Sequence, residues 1–155
     1  MVTVKQILFK LGKEEYGLDI FDVEAIERNV PILRVPTAPK HIAGIIQLRG
    51  EAIPVYDLRA RFGMPSGGTE LLIIARMGGM KVALAVDDVS EIIEAEENEI
   101  IAAPTLVKTA NTAFVSKVTN VKGHMFIMLD LEGLMTEQEK KEVQEMLRGQ
   151  KQEDE

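Results

Sequence analysis

His41–Met64 reads HIAGIIQLRGEAIPVYDLRARFGM, and its two apolar runs decide the fold. Ile45-Ile46-Gln47-Leu48 and Ala52-Ile53-Pro54-Val55-Tyr56 flank the polar break Arg49-Gly50-Glu51. β-branched residues on both sides of a glycine-bearing break predict two strands and a tight hairpin. Gly50 is the structural turn residue, free to take a positive φ, and this throws the Arg49 side chain to the tip. Pro54 has no N–H for a ladder, which predicts an edge strand or a bulge. Asp57 then opens a helical turn, Leu58 to Phe62, that Gly63 closes and Pro65 stops.

Outward from this hairpin the chain repeats itself. Val4–Leu11, Gly12-Lys13 and Glu15–Ile20 read as a first hairpin. Leu71–Met77, Gly78-Gly79 and Met80–Val86 read as its counterpart about 66 residues on. Leu18, Asp22-Val23 and Ile26 are echoed at that spacing by Leu84, Asp88-Val89 and Ile92. Phe114–Val121, Lys122-Gly123 and His124–Leu131 mirror the central hairpin. Phe21-Asp22-Val23 reads as a single helical turn or kink, and Glu24–Arg28 as a strand with Ile26 inward. Asn29–Lys40, with Pro31, Pro36 and Pro39, reads as an extended loop. The Pro104/Thr105/Asn111 stretch within Glu94–Ala113 is also loop-like. Short strands in two copies predict an all-β fold of two small barrels, 1–64 and 70–135, joined by a linker at 65–69. Each copy is too small to bury much alone, so the two are expected to share apolar surface. Thr136-Glu137-Gln138-Glu139 has capping-box spacing ahead of Val143, Met146 and Leu147, which predicts a C-terminal helix over 136–148. The polar tail 149–155 is expected to be disordered.

Composition excludes several kinds of chemistry. The 155 residues contain no Cys, so disulfides, thiol nucleophiles and thiolate metal sites are out, as expected of a reducing cytoplasm. No apolar run approaches the ~18 residues of a membrane span, and MVTVKQILFKLG has neither a basic leader nor a secretion-length apolar run. A cytoplasmic protein without direct membrane insertion is the expectation. The net charge of −7 is unevenly spread: residues 1–68 hold 9 basic and 8 acidic side chains, 69–135 hold 5 and 10, and 136–155 hold 4 and 7. Arg28, Arg34, Lys40, Arg49, Arg59 and Arg61 alternate with acids, and aromatic residues are scarce, so no nucleic-acid face is read.

Catalytic patterns are missing as well. His41 and His124, the two histidines, lack zinc-ligand spacing and read as ordinary surface residues. Asp87-Asp88, adjacent on a strand, would face opposite ways and reads as a turn opener. Gly67-Gly68 precedes a strand and lacks the Lys-Ser/Thr of a phosphate loop. Met77, Met80, Met125 and Met128 lie in strand-like runs, where gap-filling core is the simpler role. Neither a catalytic residue nor a cofactor or metal site is predicted, although a small hydrolase using Asp87 or Asp130 would be tested by turnover with and without Mg²⁺. Arg49 stands apart, as a cation on a strand-flanked tip able to make forked bonds to a partner's carboxylate.

IAGIIQLRGEAIPVYDL closely resembles the signature of the CheW family of chemotaxis coupling proteins, commonly (I)xGV(I/T)NLRGxxxP(V/I)xDL. EEYGLDIFDVEAI is similar to that family's second-strand segment, and VALAVDDVSEII to its counterpart in the second half. The resemblance covers about Lys5 to Leu134. It departs at Gln47, where Asn is usual, and at Ala25, where some members carry an acid implicated in contacts.

The resemblance implies two SH3-like five-stranded β-barrels around an apolar interface, leaving open whether Val4–Leu11 stays with the first barrel or exchanges into the second. It implies a non-enzymatic adaptor between chemoreceptor cytoplasmic tips and the histidine kinase CheA, whose regulatory domain shares the fold. A receptor helix would lie in the groove between barrels, against Val23, Arg49 and Val89, with Ile20, Leu71 and Leu72 as weaker contacts. The alternatives are a coupler of a related kinase array, in twitching or another chemotaxis-like pathway, and a double-barrel interaction module of a different pathway.

Overall fold

All four glycine-bearing breaks form hairpins in the computed structural model, which describes residues 3–65, 67–102 and 114–153, the side chains of 116 and 150–153 apart. β1 (Thr3–Leu11) turns at Gly12, φ 61°, into β2 (Glu14–Asp19). A single 3₁₀ turn, Ile20–Asp22, leads to β3 (Val23–Arg28). β4 (Ile42–Leu48) and β5 (Glu51–Asp57) form the central hairpin, followed by the one-turn helix α1 (Leu58–Arg61). Asp57 caps α1 by accepting from the Ala60 N–H at 3.1 Å. β6 (Leu71–Met77), β7 (Met80–Ala85) and β8 (Asp88–Glu96) repeat the opening pattern. β9 (Ile100–Ala102), β10 (Val115–Val121) and β11 (His124–Leu129) complete the strands. Residues 1–2, Ser66, residues 103–113, on which the loop-like reading of Pro104, Thr105 and Asn111 falls, and residues 154–155 lie outside the described residues.

The strands form a six-stranded sheet, β8-β1-β2-β11-β10-β9, and a five-stranded sheet, β3-β6-β7-β5-β4. The chain is mostly β, with two barrel-sized sheets, as expected; the short strand β9 is the addition. The division at 65–69 is where structure and expectation part. Met1–Val23 and Asp87–Leu134 make one unit, and Glu24–Val86 and Met135–Glu155 the other. In the first unit β2 pairs in parallel with β11, Tyr16 opposite Ile127 and Gly17 opposite Met128. In the second β5 pairs in parallel with β7, Val55 opposite Ala83 and Tyr56 opposite Leu84. The two copies have exchanged their leading hairpins, β2 as well as β1. Quasi-equivalent repeats offer the same edges to either hairpin, so alternation alone does not say which one is taken.

In the first unit Leu8, Phe9, Leu11, Leu18, Phe126 and Leu129 are buried, and the Phe9 and Tyr16 rings stack at 5.9 Å. Gln6 and Thr119 are buried with them, joined by a 2.9 Å hydrogen bond. Gly17 is required by contact: a Cβ there would lie 2.6 Å from Gln6 Oε1 and 2.7 Å from the Phe126 ring. In the second unit Ile46, Ile53, Val55, Leu72, Ile74, Ala83 and Ala85 form one cluster.

Several local expectations need correction. Ile26 points outward and Ala25 packs on the core cluster, because the 3₁₀ turn shifts β3 by one residue of alternation. Pro54 is buried in an interior strand; the ladder to β7 begins only at Val55, so its missing N–H breaks no bond there. Met77, Met80 and Met128 are core, but Met125 is 62% exposed. The final helix α2 (Glu137–Glu153) runs past 148 into the supposed tail, since one Gly costs a helix only about 1 kcal/mol. Its capping box is as read: Glu139 N–H donates to Thr136 Oγ1 at 3.1 Å, and Thr136 N–H to Glu139 Oε1 at 3.0 Å. α2 packs on β5 and buries Val143.

Phe9 has no exposed surface. Phe9→Ala should cost about 3–5 kcal/mol, and Phe9→Asp, which adds an unpaired buried charge, should unfold the first unit. Denaturant and thermal melts measure both; an unchanged melt for Phe9→Asp would contradict the core assignment.

Candidate functional site

Leu48 pairs with Glu51 across the central hairpin, leaving Arg49 and Gly50 as its two-residue turn. Their φ values, 50° and 80°, are both positive, as a type I′ turn requires. Asn, Asp or Gly usually takes the first position; an arginine there bears a left-handed strain of order 1 kcal/mol. The Arg49 side chain is 75% exposed, and its Nη2 lies 3.6 Å from Glu27 Oε1 on β3. At that separation the contact is electrostatic rather than a hydrogen bond, so most of the guanidinium fork stays available. The matching turn in the first unit, Lys122-Gly123, has φ values of 51° and 84° and also presents a cation.

Behind the tip lies a row of charges. Arg76 follows Leu72 and Ile74 on β6, Lys81 precedes Ala83 and Ala85 on β7, and Glu51 precedes Ile53 and Val55 on β5. Each is the next same-face residue beyond the core cluster, so all three stand at its rim. Arg76 and Lys81 are directly opposed across β6 and β7, a like-charge pair that repels unless carboxylates intervene. Glu24 on β3 supplies one: its Oε1 accepts from Arg76 Nε at 2.6 Å and its Oε2 lies 3.2 Å from Lys81 Nζ. Glu51 supplies the other, 3.0 Å from the same Lys81 Nζ. The Arg76 bond chiefly, aided by Lys81 and opposed by desolvation, holds the Glu24 carboxyl below the usual 4.5. Glu51 first, then Glu24, pushes Lys81 above its usual 10.5.

The apolar contact residues fall differently. Val23 opens β3 and Ile20 lies in the 3₁₀ turn, both half-buried. Val89 is also half-buried and sits opposite Phe9 on β1, whereas Asp19, just before Ile20, sits opposite Gln6. Val89 and Ile20 therefore lie on opposite sides of β1, offset along it by at least three residues, ~10 Å. Leu71 and Leu72 are 4% and 0% exposed. Leu72 belongs to the second unit's core cluster, and both are too buried to offer a partner surface, which corrects their place among the contacts. Ala25, inward on the core cluster, takes no acidic contact role.

The histidines are less solvated than expected. His41 is half-buried near the Tyr56 ring, at 6.1 Å between centroids, and burial lowers its pKa. His124 Nε2 lies 3.2 Å from Glu15 Oε1. Among the described residues no three His, Asp or Glu side chains are grouped to hold a metal ion, and no helix is long and apolar enough to cross a membrane.

Sequence reasoning found Arg49 but missed Glu24, Glu27, Arg76 and Lys81. The signal was present: on β5, β6 and β7 the apolar alternation ends at one strand tip in a charge on the apolar face. The ion row also sets a pH dependence. Because folding lowers the Glu24 pKa, its contribution is fully present above the usual 4.5 and is lost as pH falls through the depressed value. The Glu24 carboxyl ¹³C resonance should titrate below 4.5, and Lys81→Met should move the midpoint upward; a midpoint at or above 4.5 in the unaltered protein would contradict the pairing.

A family model described as CheW-like domain matches residues 5–139. The chain is 31% identical over 136 residues to the chemotaxis protein CheW of Klebsiella aerogenes, covering 86% of this chain and 82% of that one. It is 29% identical over 135 residues to the chemotaxis protein CheW of Bacillus subtilis, covering 84% and 86%. Among solved structures, the scaffolding protein TtCheW from Thermoanaerobacter tengcongensis matches with a TM-score of 0.79 at 41% identity, over 86% of this chain and 92% of that one. With the signature around Arg49, two repeats that have exchanged their leading hairpins and a family match over nearly the whole chain, this protein belongs to the CheW-like domain family of chemotaxis proteins.

Proposed function

We propose that this protein is a non-enzymatic, cytoplasmic adaptor that couples chemoreceptor cytoplasmic tips to the regulatory domain of the histidine kinase CheA. The observation that carries the reading is Arg49, exposed at the strained first position of a type I′ turn inside the family's own signature. A residue held against local preference at an exposed tip is explained by what it meets there. Its planar fork suits a partner carboxylate in a way that lysine does not reproduce. Half-buried Ile20, Val23 and Val89 add apolar surface of the kind an amphipathic receptor helix presses against.

Such a protein acts without altering a bond. Holding receptor and kinase together turns a second binding step into an intramolecular one, which raises effective concentration. A receptor state that binds the adaptor differently when the kinase is engaged then biases the kinase by the same coupling free energy. Arg49→Glu should keep the fold and melting temperature while weakening capture of the CheA regulatory domain or a receptor-tip fragment at least 10-fold in pull-down. Wild-type ternary assembly by that variant would contradict the assignment of Arg49.

A further inference from the structure

The Arg49 turn is built into a chain of charges that runs back across the second unit's sheet. Glu51, the first residue after the turn, is bound by Lys81 at 3.0 Å. Lys81 is bound by Glu24 at 3.2 Å, and Glu24 by Arg76. The chain thus spans β5, β7, β3 and β6, four of the five strands of the sheet. Arg49 itself reaches Glu27 on β3 at 3.6 Å. The tip is therefore tied to the edge strand twice, through its cation to Glu27 and through its carboxylate to Glu24 by way of Lys81. On a bare I′ turn this long, 75% exposed side chain would sweep freely.

We propose that Glu24, Lys81 and Glu51 are positioning residues that clamp the Arg49-Gly50 turn, so that the guanidinium meets its partner already oriented. The inference rests on the reading of Arg49 as a binding residue. Isolated surface ion pairs contribute little, but Glu51, Lys81, Glu24 and Arg76 form a network at the core rim. There the Lys81 and Glu24 side chains keep 34% and 25% of their surface exposed, and each serves two partners. Fixing the turn before binding lowers the ordering cost of association, so its loss should fall mainly on dissociation. The opposed pair Arg76 and Lys81 gives the clamp its sensitivity: without Glu24 the two cations repel across the strands next to the tip.

The test compares Lys81→Met, Lys81→Arg and Glu51→Gln with the unaltered protein in two measurements. The first is ¹⁵N relaxation at the Gly50 amide and the Arg49 Nε; the second is dissociation from an immobilised CheA regulatory domain. In Lys81→Met and Glu51→Gln the Gly50 order parameter should fall from about 0.85 to below about 0.6, with the Val55–Asp57 amides unchanged, and Lys81→Arg should restore it. Dissociation should quicken about 3- to 10-fold in the two loosened variants, and Lys81→Met should add nothing to Arg49→Ala. An unchanged order parameter in both charge-removing variants would overturn the clamp, whatever happens to binding. A loosened turn with normal dissociation, in a protein where Arg49→Glu does lose its partner, would overturn the positioning role. A loosened turn with normal capture by Arg49→Glu as well would instead overturn the binding role of Arg49 and leave the clamp standing. Glu51→Gln keeps the size and shape of the side chain, so a misfolded Lys81→Met protein cannot stand in for a loosened turn.

Discussion

Two short parallel ladders hold the architecture in place. β2 lies beside β11 in one unit and β5 beside β7 in the other, and each ladder joins a strand from one half of the sequence to a strand from the other half. With the antiparallel β1–β8 pairing and the β3–β6 neighbourhood, they bind the two halves into shared sheets. Without these cross-half pairings each half would be a hairpin-rich segment with unpaired edges and too little apolar surface to be stable alone. Both ladders are thinly specified by side chains. On the first, Gly17 leaves the space that the Phe126 ring and the Gln6 amide occupy, where any Cβ would collide. On the second, Val55 and Tyr56 are fully buried against Ala83 and Leu84, large residues alternating with small.

The exchange also explains where the recognition residues stand. β4 and β5 stay in the second unit with β6 and β7, so the Arg49 turn closes the end of a sheet whose neighbouring strands come from further along the chain. Lys81 and Arg76 are on hand for Glu51 and Glu24 only because β7 lies next to β5 and β6 next to β3. β4 ends the strand order, but a tip beside a charged core rim can still be held. The apolar cluster ends, the same strand faces turn ionic, and the arginine projects just beyond.

Much of this was legible in the sequence. Glycine-bearing breaks marked four hairpins because positive φ is cheap only there, and Thr136 with Glu139 marked the helix start because the capping box is a local hydrogen-bond pattern. Arg49 was legible as an exposed tip. What local pattern could not give was partnership between distant strands: hairpins with equivalent edges look alike, so the division at 65–69 followed chain order instead of pairing. Ile26 was misplaced because the turn at Ile20–Asp22 resets the alternation by one residue, which no strand period reveals. Leu71 and Leu72 looked available by motif position and proved buried, since the exchange sets β6 between β3 and β7. The ion row needed the sheet order itself.

Backbone proton contacts across the parallel ladders test the exchange most directly. In isotope-labelled protein, NOEs should connect the amide and α-protons of Gly17 with those of Met128, and those of Tyr56 with those of Leu84. Contacts joining Gly17 instead to the Tyr56 segment of β5, with none to Met128, would mean that each half closes on its own strands and would contradict the account.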